Sequence, residues 1–140
     1  MQIEELDPAD DAGLAAFHEH EVRVAATVPY GTAWTLPELT VAARTDDPWT
    51  ARTLLWARLD DGDVVATCQL EVPLRDNLET AWMTLATAPE HRGSVGPFIE
   101  HLKERVRSLG RGRLECSAKW PPGDDEGPDE GRHVGIDGRD

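Results

Sequence analysis

The stretch TLATAPEHRGSVGPFIEHLKERVRSL, residues 84–109, constrains this chain more than any other. It opens with strand-forming residues, passes Pro89, turns over Arg92, Gly93, Ser94, Val95 and Gly96, and continues with a helical period. Phe98, Leu102, Arg105, Val106 and Leu109 recur at i, i+3 and i+4 with Glu and Lys opposite, which predicts an amphipathic helix. Gly110 is placed to stop it. A strand, a glycine-bearing turn and a helix N-terminus together make an anion site, because free N–H groups converge there and the helix dipole favours negative charge. A diphosphate is the natural guest, and an ordinary strand-to-helix connection is the alternative. The turn is neither a P-loop nor a dinucleotide fingerprint, since both Gly-x-x-x-x-Gly-Lys-Ser/Thr and Gly-x-Gly-x-x-Gly are absent.

The rest of the chain supplies strands and helices around this stretch. Residues 2–6 alternate as a short strand. Asp7-Pro8 has the form of an N-cap followed by Pro at the first helical position, with a helix running to about Ala26 on a stripe of Leu14, Phe17, Val24 and Ala25. His18 and His20 do not share a helix face, so they are expected to be solvated rather than metal ligands. Thr35 and Glu38 have capping-box spacing for a second helix ending near Arg44. Tyr30, Trp34 and Trp49 fall in the connecting region, where they either line a substrate pocket or plug the end of the core. Residues 53–59 and 64–72 alternate about Asp60-Asp61-Gly62-Asp63, a strong hairpin signal, with Val64, Ala66, Cys68, Leu70 and Val72 on one face. Arg75-Asp76-Asn77 makes a second turn before a strand over 79–87, and residues 113–118 form one more strand after the helix. From Pro121 the chain is rich in Gly, Pro and acid and lacks an apolar period, which predicts a disordered tail over 121–140 behind one domain over 1–120.

Length and charge bound the function classes. A chain of 140 residues supports one core, and its net charge of −13 repels phosphate backbones while attracting cations such as amines. Nucleic acid is therefore not an expected partner. Cys68 and Cys116 are isolated in predicted strands, without metal spacing, so reduced buried thiols are expected and no metal. The acidic N-terminus and the lack of a long apolar run predict a cytoplasmic protein without a membrane association.

Strand, Pro-Glu-His-Arg-Gly and helix together resemble motif A of the GNAT superfamily of N-acetyltransferases. In that family an Arg/Gln-x-x-Gly-x-Gly/Ala loop holds the pyrophosphate of acetyl-CoA. Counting from Arg92 without a gap puts Val95 and Pro97 on the family's Gly positions, whereas a two-residue deletion after Gly93 lets Gly96 stand for one. Either way the loop is one glycine short, and Pro97 donates no N–H. The order β-α-α-β-β-β-α-β over about residues 2–120 is similar to the family's α/β fold, a mixed and mostly antiparallel sheet flanked by helices, with its C-terminal elements missing. LDPADDAGLAAFH, DNLETA, PEHRG and SAKWPP look closest to the N-terminal domain of actinobacterial-type proteins with two GNAT domains in tandem.

The resemblance implies acetyl transfer from acetyl-CoA to a small amine. Acyl transfer needs donors to the developing oxyanion, a base for the amine and a proton for the leaving thiolate. By the resemblance, Leu85, Ala86 and Thr87 offer backbone groups to the pantetheine and acyl oxygen, while Arg92, Gly93, Ser94, Val95 and Gly96 hold the pyrophosphate. Glu79 stands at a distance before Arg92 similar to that of the family's base, and is otherwise an exposed strand-end carboxylate. The family's acid is a Tyr on a later helix, whereas the only tyrosine here is Tyr30. The rival expectation is a catalytically inactive half-domain that binds CoA or a partner. The missing elements imply an open sheet edge and hence a homodimer or a partner GNAT domain.

Overall fold

Alternating residues on either side of an Asp-Gly turn fold as the hairpin of β2 (Thr50–Arg58) and β3 (Val64–Pro73). The computed structural model describes residues 1–119 and 133–135. Before the hairpin come β1 (Gln2–Glu5), α1 (Asp11–Ala25) and α2 (Leu36–Arg44). After it come β4 (Thr80–Thr87), a 3-10 helix (Pro89–Ser94), α3 (Gly96–Ser108), β5 (Arg113–Lys119) and β6 (His133–Gly135). The six strands form one sheet in chain order, antiparallel everywhere except between β4 and β5.

The pleat divides the core between two faces. Leu55, Ala66, Cys68, Leu70, Met83, Leu85 and Cys116 pack with Val95, Phe98, Leu102 and Val106 of the α3 region. On the opposite face Leu54 and Trp56 pack with Leu6, Leu14, Phe17 and Leu39, which belong to the α1–α2 layer. Burying each large apolar side chain contributes about 1.5–3 kcal/mol, so α3 is held mainly by its three buried residues, Phe98, Leu102 and Val106. Leu109 lies outside the stripe expected for it: it is the C-cap and exposed, because Gly110 at φ 78° turns the chain there. Arg111 N–H donates to the Val106 carbonyl at 3.1 Å and Gly110 N–H to that of Arg107 at 2.9 Å, which closes the helix end.

Three local expectations shift. The cap of α1 is Asp10, whose side chain accepts from Gly13 N–H, while Asp7 caps the preceding turn by accepting from Ala9 N–H at 2.9 Å. Val64 packs with the α1–α2 face rather than with Ala66, because a bulge between Ala57 and Arg58 shifts the register by one residue. The tail expected from Pro121 lies outside the described residues except for His133–Gly135, which pair with Arg113–Glu115 and extend the sheet by one short strand. Cys68 and Cys116 are free thiols in the core, where burial pushes the Cys68 thiol well up and that of Cys116 up to about 11.

Candidate functional site

The turn expected over residues 92–96 is mostly the 3-10 helix, capped by Ala88 and followed at once by α3. Val95 is the N-cap of α3 and contributes no side-chain bond, and Pro97 lies in the first turn. Ile99 N–H already donates to the Val95 carbonyl at 3.1 Å. Gly96 and Phe98 thus carry the first-turn N–H groups of this helix that lack an intrahelical partner by position. A Cβ added at Gly93 or Gly96 would meet nothing within 4 Å, so neither glycine is demanded by the fold itself. Arg92 adds positive charge in the last turn of the 3-10 helix, next to the His91 ring.

Leu85, Ala86 and Thr87 lead into this corner and all three are buried. Ala88 N–H donates to the Val65 carbonyl at 3.1 Å. Backbone groups alternate along a strand, so Ala86 faces β3 as well, while Leu85 and Thr87 turn theirs toward β5. The parallel ladder continues to Ala86 opposite Lys119. The seam that the resemblance opens for an acyl chain is therefore paired to its end. Thr87 shares a face with Ala66 of the α3-side core, and its Oγ1 is buried without a partner among the described residues. An unpaired buried hydroxyl costs about 1–3 kcal/mol, and Thr67, opposite Ala86, carries a second one among the described residues.

A residue expected in solvent turns out to be central. His20 is 3% exposed, with Nε2 at 2.9 Å from the Ala86 carbonyl and Nδ1 at 3.3 Å from the Arg23 guanidinium. A carbonyl only accepts and a guanidinium only donates, so the ring is the neutral Nε2–H tautomer. Burial lowers its pKa; the Ala86 bond opposes that, Arg23 and His91 add to it, and Glu90 opposes it. The missed signal was position: residue 20 is three after Phe17 and four before Val24, on the stripe that α1 buries. Its neighbour Glu21 is also buried and accepts from Gln69 Nε2 at 2.8 Å. His18 is half-exposed and its Nε2–H donates to the Trp34 carbonyl at 2.8 Å.

Glu79 is not brought to the corner. It is exposed in the turn before β4, where its carbonyl accepts from Gly112 and Arg113 N–H at 3.0 and 2.9 Å. The length of β4, roughly 25 Å at 3.3 Å per residue, separates it from the 3-10 helix. The three aromatics do not converge either. Tyr30 stands in solvent, Trp49 lies under Arg75 at 4.5 Å, and Trp34 lines a surface groove with Pro37, Glu38, Val41 and Ala42. What the sheet does assemble, on the face of α1 and α2, is a cross-strand row of Arg52, Glu71, Trp82 and Glu115. Arg52 lies 5.5 Å from the Trp34 ring and donates to Glu71 at 2.7 Å, and Trp82 Nε1–H donates to Glu115. Sequence alternation alone could not bring these four strands into register.

No family model and no curated protein matches the chain. Solved structures do. A tandem GNAT protein from the clavulanic acid biosynthesis pathway superposes with a TM-score of 0.71 at 23% identity, over 92% of this chain and 39% of its own. An acetyltransferase of the GNAT family from Streptococcus pneumoniae gives 0.58 at 18% identity, over 82% of this chain and 72% of its own. A spermidine N-acetyltransferase from Vibrio cholerae gives 0.57 at 13%, over 83% and 69%. The chain thus spans well under half of the tandem protein.

Proposed function

Because the chain has the fold of the GNAT acetyltransferases, we propose that it is an N-acetyltransferase domain that takes acetyl-CoA at the corner of β4, the 3-10 helix and α3. In this reading the acceptor is a small amine, and the domain works in the cytoplasm. The observation that carries the reading is the Thr87 hydroxyl at the end of β4, buried and without a partner among the described residues. It is a polar group held ready at the place where a polar chain is expected. The pantetheine lies along Leu85, Ala86 and Thr87, and the pyrophosphate meets Arg92, Gly93, Ser94, Val95 and Gly96. Acetyl-CoA, when bound, supplies the activated acyl group. The chain's own contribution is to bind and orient it, with backbone N–H groups of Gly96 and Phe98 toward negative charge. The acidic surface favours a cationic acceptor.

Thermal shift and calorimetry with millimolar acetyl-CoA test the binding, since a ligand at 100 times its Kd raises stability by about 2.7 kcal/mol. No shift together with no heat would end this reading. A screen of amines with thiol-release detection then tests turnover. A second reading is a non-catalytic half-domain that works with a partner GNAT domain or a second copy. The distance of Glu79 from the corner favours it, and acetyl-CoA binding without turnover of any amine would establish it.

A further inference from the structure

His20 places a buried ring against a carbonyl that the sheet already serves. Alternation along β4 turns the Ala86 backbone groups toward β3, opposite Thr67, so the ladder itself supplies that carbonyl with a donor. The His20 Nε2–H, at 2.9 Å, is a second one. A leucine at position 20 would continue the stripe of Leu14, Phe17 and Val24 without desolvating a polar ring. Neither packing nor an unsatisfied carbonyl therefore calls for a histidine here. Its effect lies on the other side of the peptide. In a planar trans peptide the carbonyl and the N–H point in opposite directions, so the Ala86 carbonyl and the Thr87 N–H belong to one rigid plate. Holding that carbonyl from α1 and β3 aims the Thr87 N–H at the β5 side, where the acyl-CoA reading places its ligand. We infer that His20 is a positioning residue for acyl-CoA: it fixes and polarises the Ala86–Thr87 peptide, which makes the Thr87 N–H a better-placed and stronger donor to the ligand. The inference rests on the acyl-CoA reading above. Hydrogen bonds in a chain strengthen one another. This chain begins at Arg23, whose guanidinium donates to Nδ1 at 3.3 Å and keeps the ring proton on Nε2. One residue on from His20, the buried Glu21 accepts from Gln69, which lies opposite Thr84. The helix is thus tied to the sheet at two successive rows, which anchors the ring over Ala86.

Calorimetry with acetyl-CoA on wild type, His20→Leu and His20→Gln tests this. His20→Leu loses the donor to the Ala86 carbonyl and should bind about three- to tenfold more weakly, the worth of one hydrogen bond. His20→Gln keeps a donor there and should recover most of that loss. A His20→Leu protein that binds as tightly as wild type overturns the role, since a histidine needed only for the fold would lower the urea midpoint and leave affinity alone. A His20→Gln protein that binds as weakly as His20→Leu overturns it as well. NMR on histidine- and amide-labelled wild type needs no variant and decides the matter if His20→Leu does not fold. Saturation with acetyl-CoA should move the His20 Nε2–H resonance downfield together with the Thr87 amide, because a ligand accepting from Thr87 strengthens the bond behind it. A His20 Nε2–H signal that stays in place while the ligand binds overturns the proposal. If wild type binds no acetyl-CoA at all, the functional reading fails and this role falls with it, whereas equal binding by wild type and His20→Leu removes the role alone.

Discussion

Lowering the pH from about 7.5 to about 5.5 should weaken the fold through His20. The ring is buried as the neutral tautomer, with Nε2–H on the Ala86 carbonyl and Nδ1 facing the Arg23 guanidinium. A second proton would have to enter at Nδ1, against that cation. Burial first, then Arg23, hold its pKa below the ordinary 6.5, against the pull of the Ala86 carbonyl and Glu90. In the unfolded chain the same histidine takes its proton near 6.5. The unfolded state therefore binds more protons below that pH. The stability carried by neutral His20 is complete above 6.5 and is lost as the pH falls toward the folded-state pKa. The limit is about 1.4 kcal/mol at a pH one unit below the unfolded value. Urea unfolding of wild type and His20→Gln across this range measures it. Glutamine keeps a donor for Ala86 but does not titrate, and carboxylates common to both proteins cancel in the difference. Wild type should lose stability relative to His20→Gln as the pH falls. A difference that stays constant, or that moves in favour of wild type, would refute the buried neutral histidine.

Gly31→Ala should destabilise by about 1–3 kcal/mol in urea, because its Cβ would stand 2.3 Å from the Ala25 carbonyl oxygen. Phe98→Ala should cost about 3–5 kcal/mol in the same assay, since its fully buried ring anchors α3 to the sheet. Gly96→Asp should leave the urea midpoint nearly unchanged, as its Cβ meets open space, yet abolish any thermal shift with acetyl-CoA by placing a carboxylate beside the phosphates. Glu79→Gln should fold normally because the side chain is exposed. A roughly 100-fold loss of turnover in that variant would identify Glu79 as the base, and unchanged turnover would leave it as a turn residue.

What the sequence by itself determined is the part governed by local period and turn chemistry. Alternation about Asp60-Asp61-Gly62-Asp63 produced the hairpin, Thr35 and Glu38 capped α2, and Phe98, Leu102 and Val106 set the buried side of α3. These depend on neighbours within a turn or a pleat, so spacing is enough. The order of elements was legible for the same reason, and with it the GNAT-like fold. The tertiary structure decided everything that depends on which strands lie side by side. His20 and Glu21 sit on the α1 stripe among apolar residues, and only the Ala86 carbonyl and Gln69 across from them explain why polar groups are there. The row from Arg52 to Glu115 exists because four strands share one register, a relation between residues up to 63 positions apart. Glu79 stands at the far end of β4 from Arg92, since an extended strand carries its two ends far apart. The closed seam between Ala86 and Lys119 is likewise a matter of pairing, and backbone pairing between distant segments leaves no mark in either segment alone.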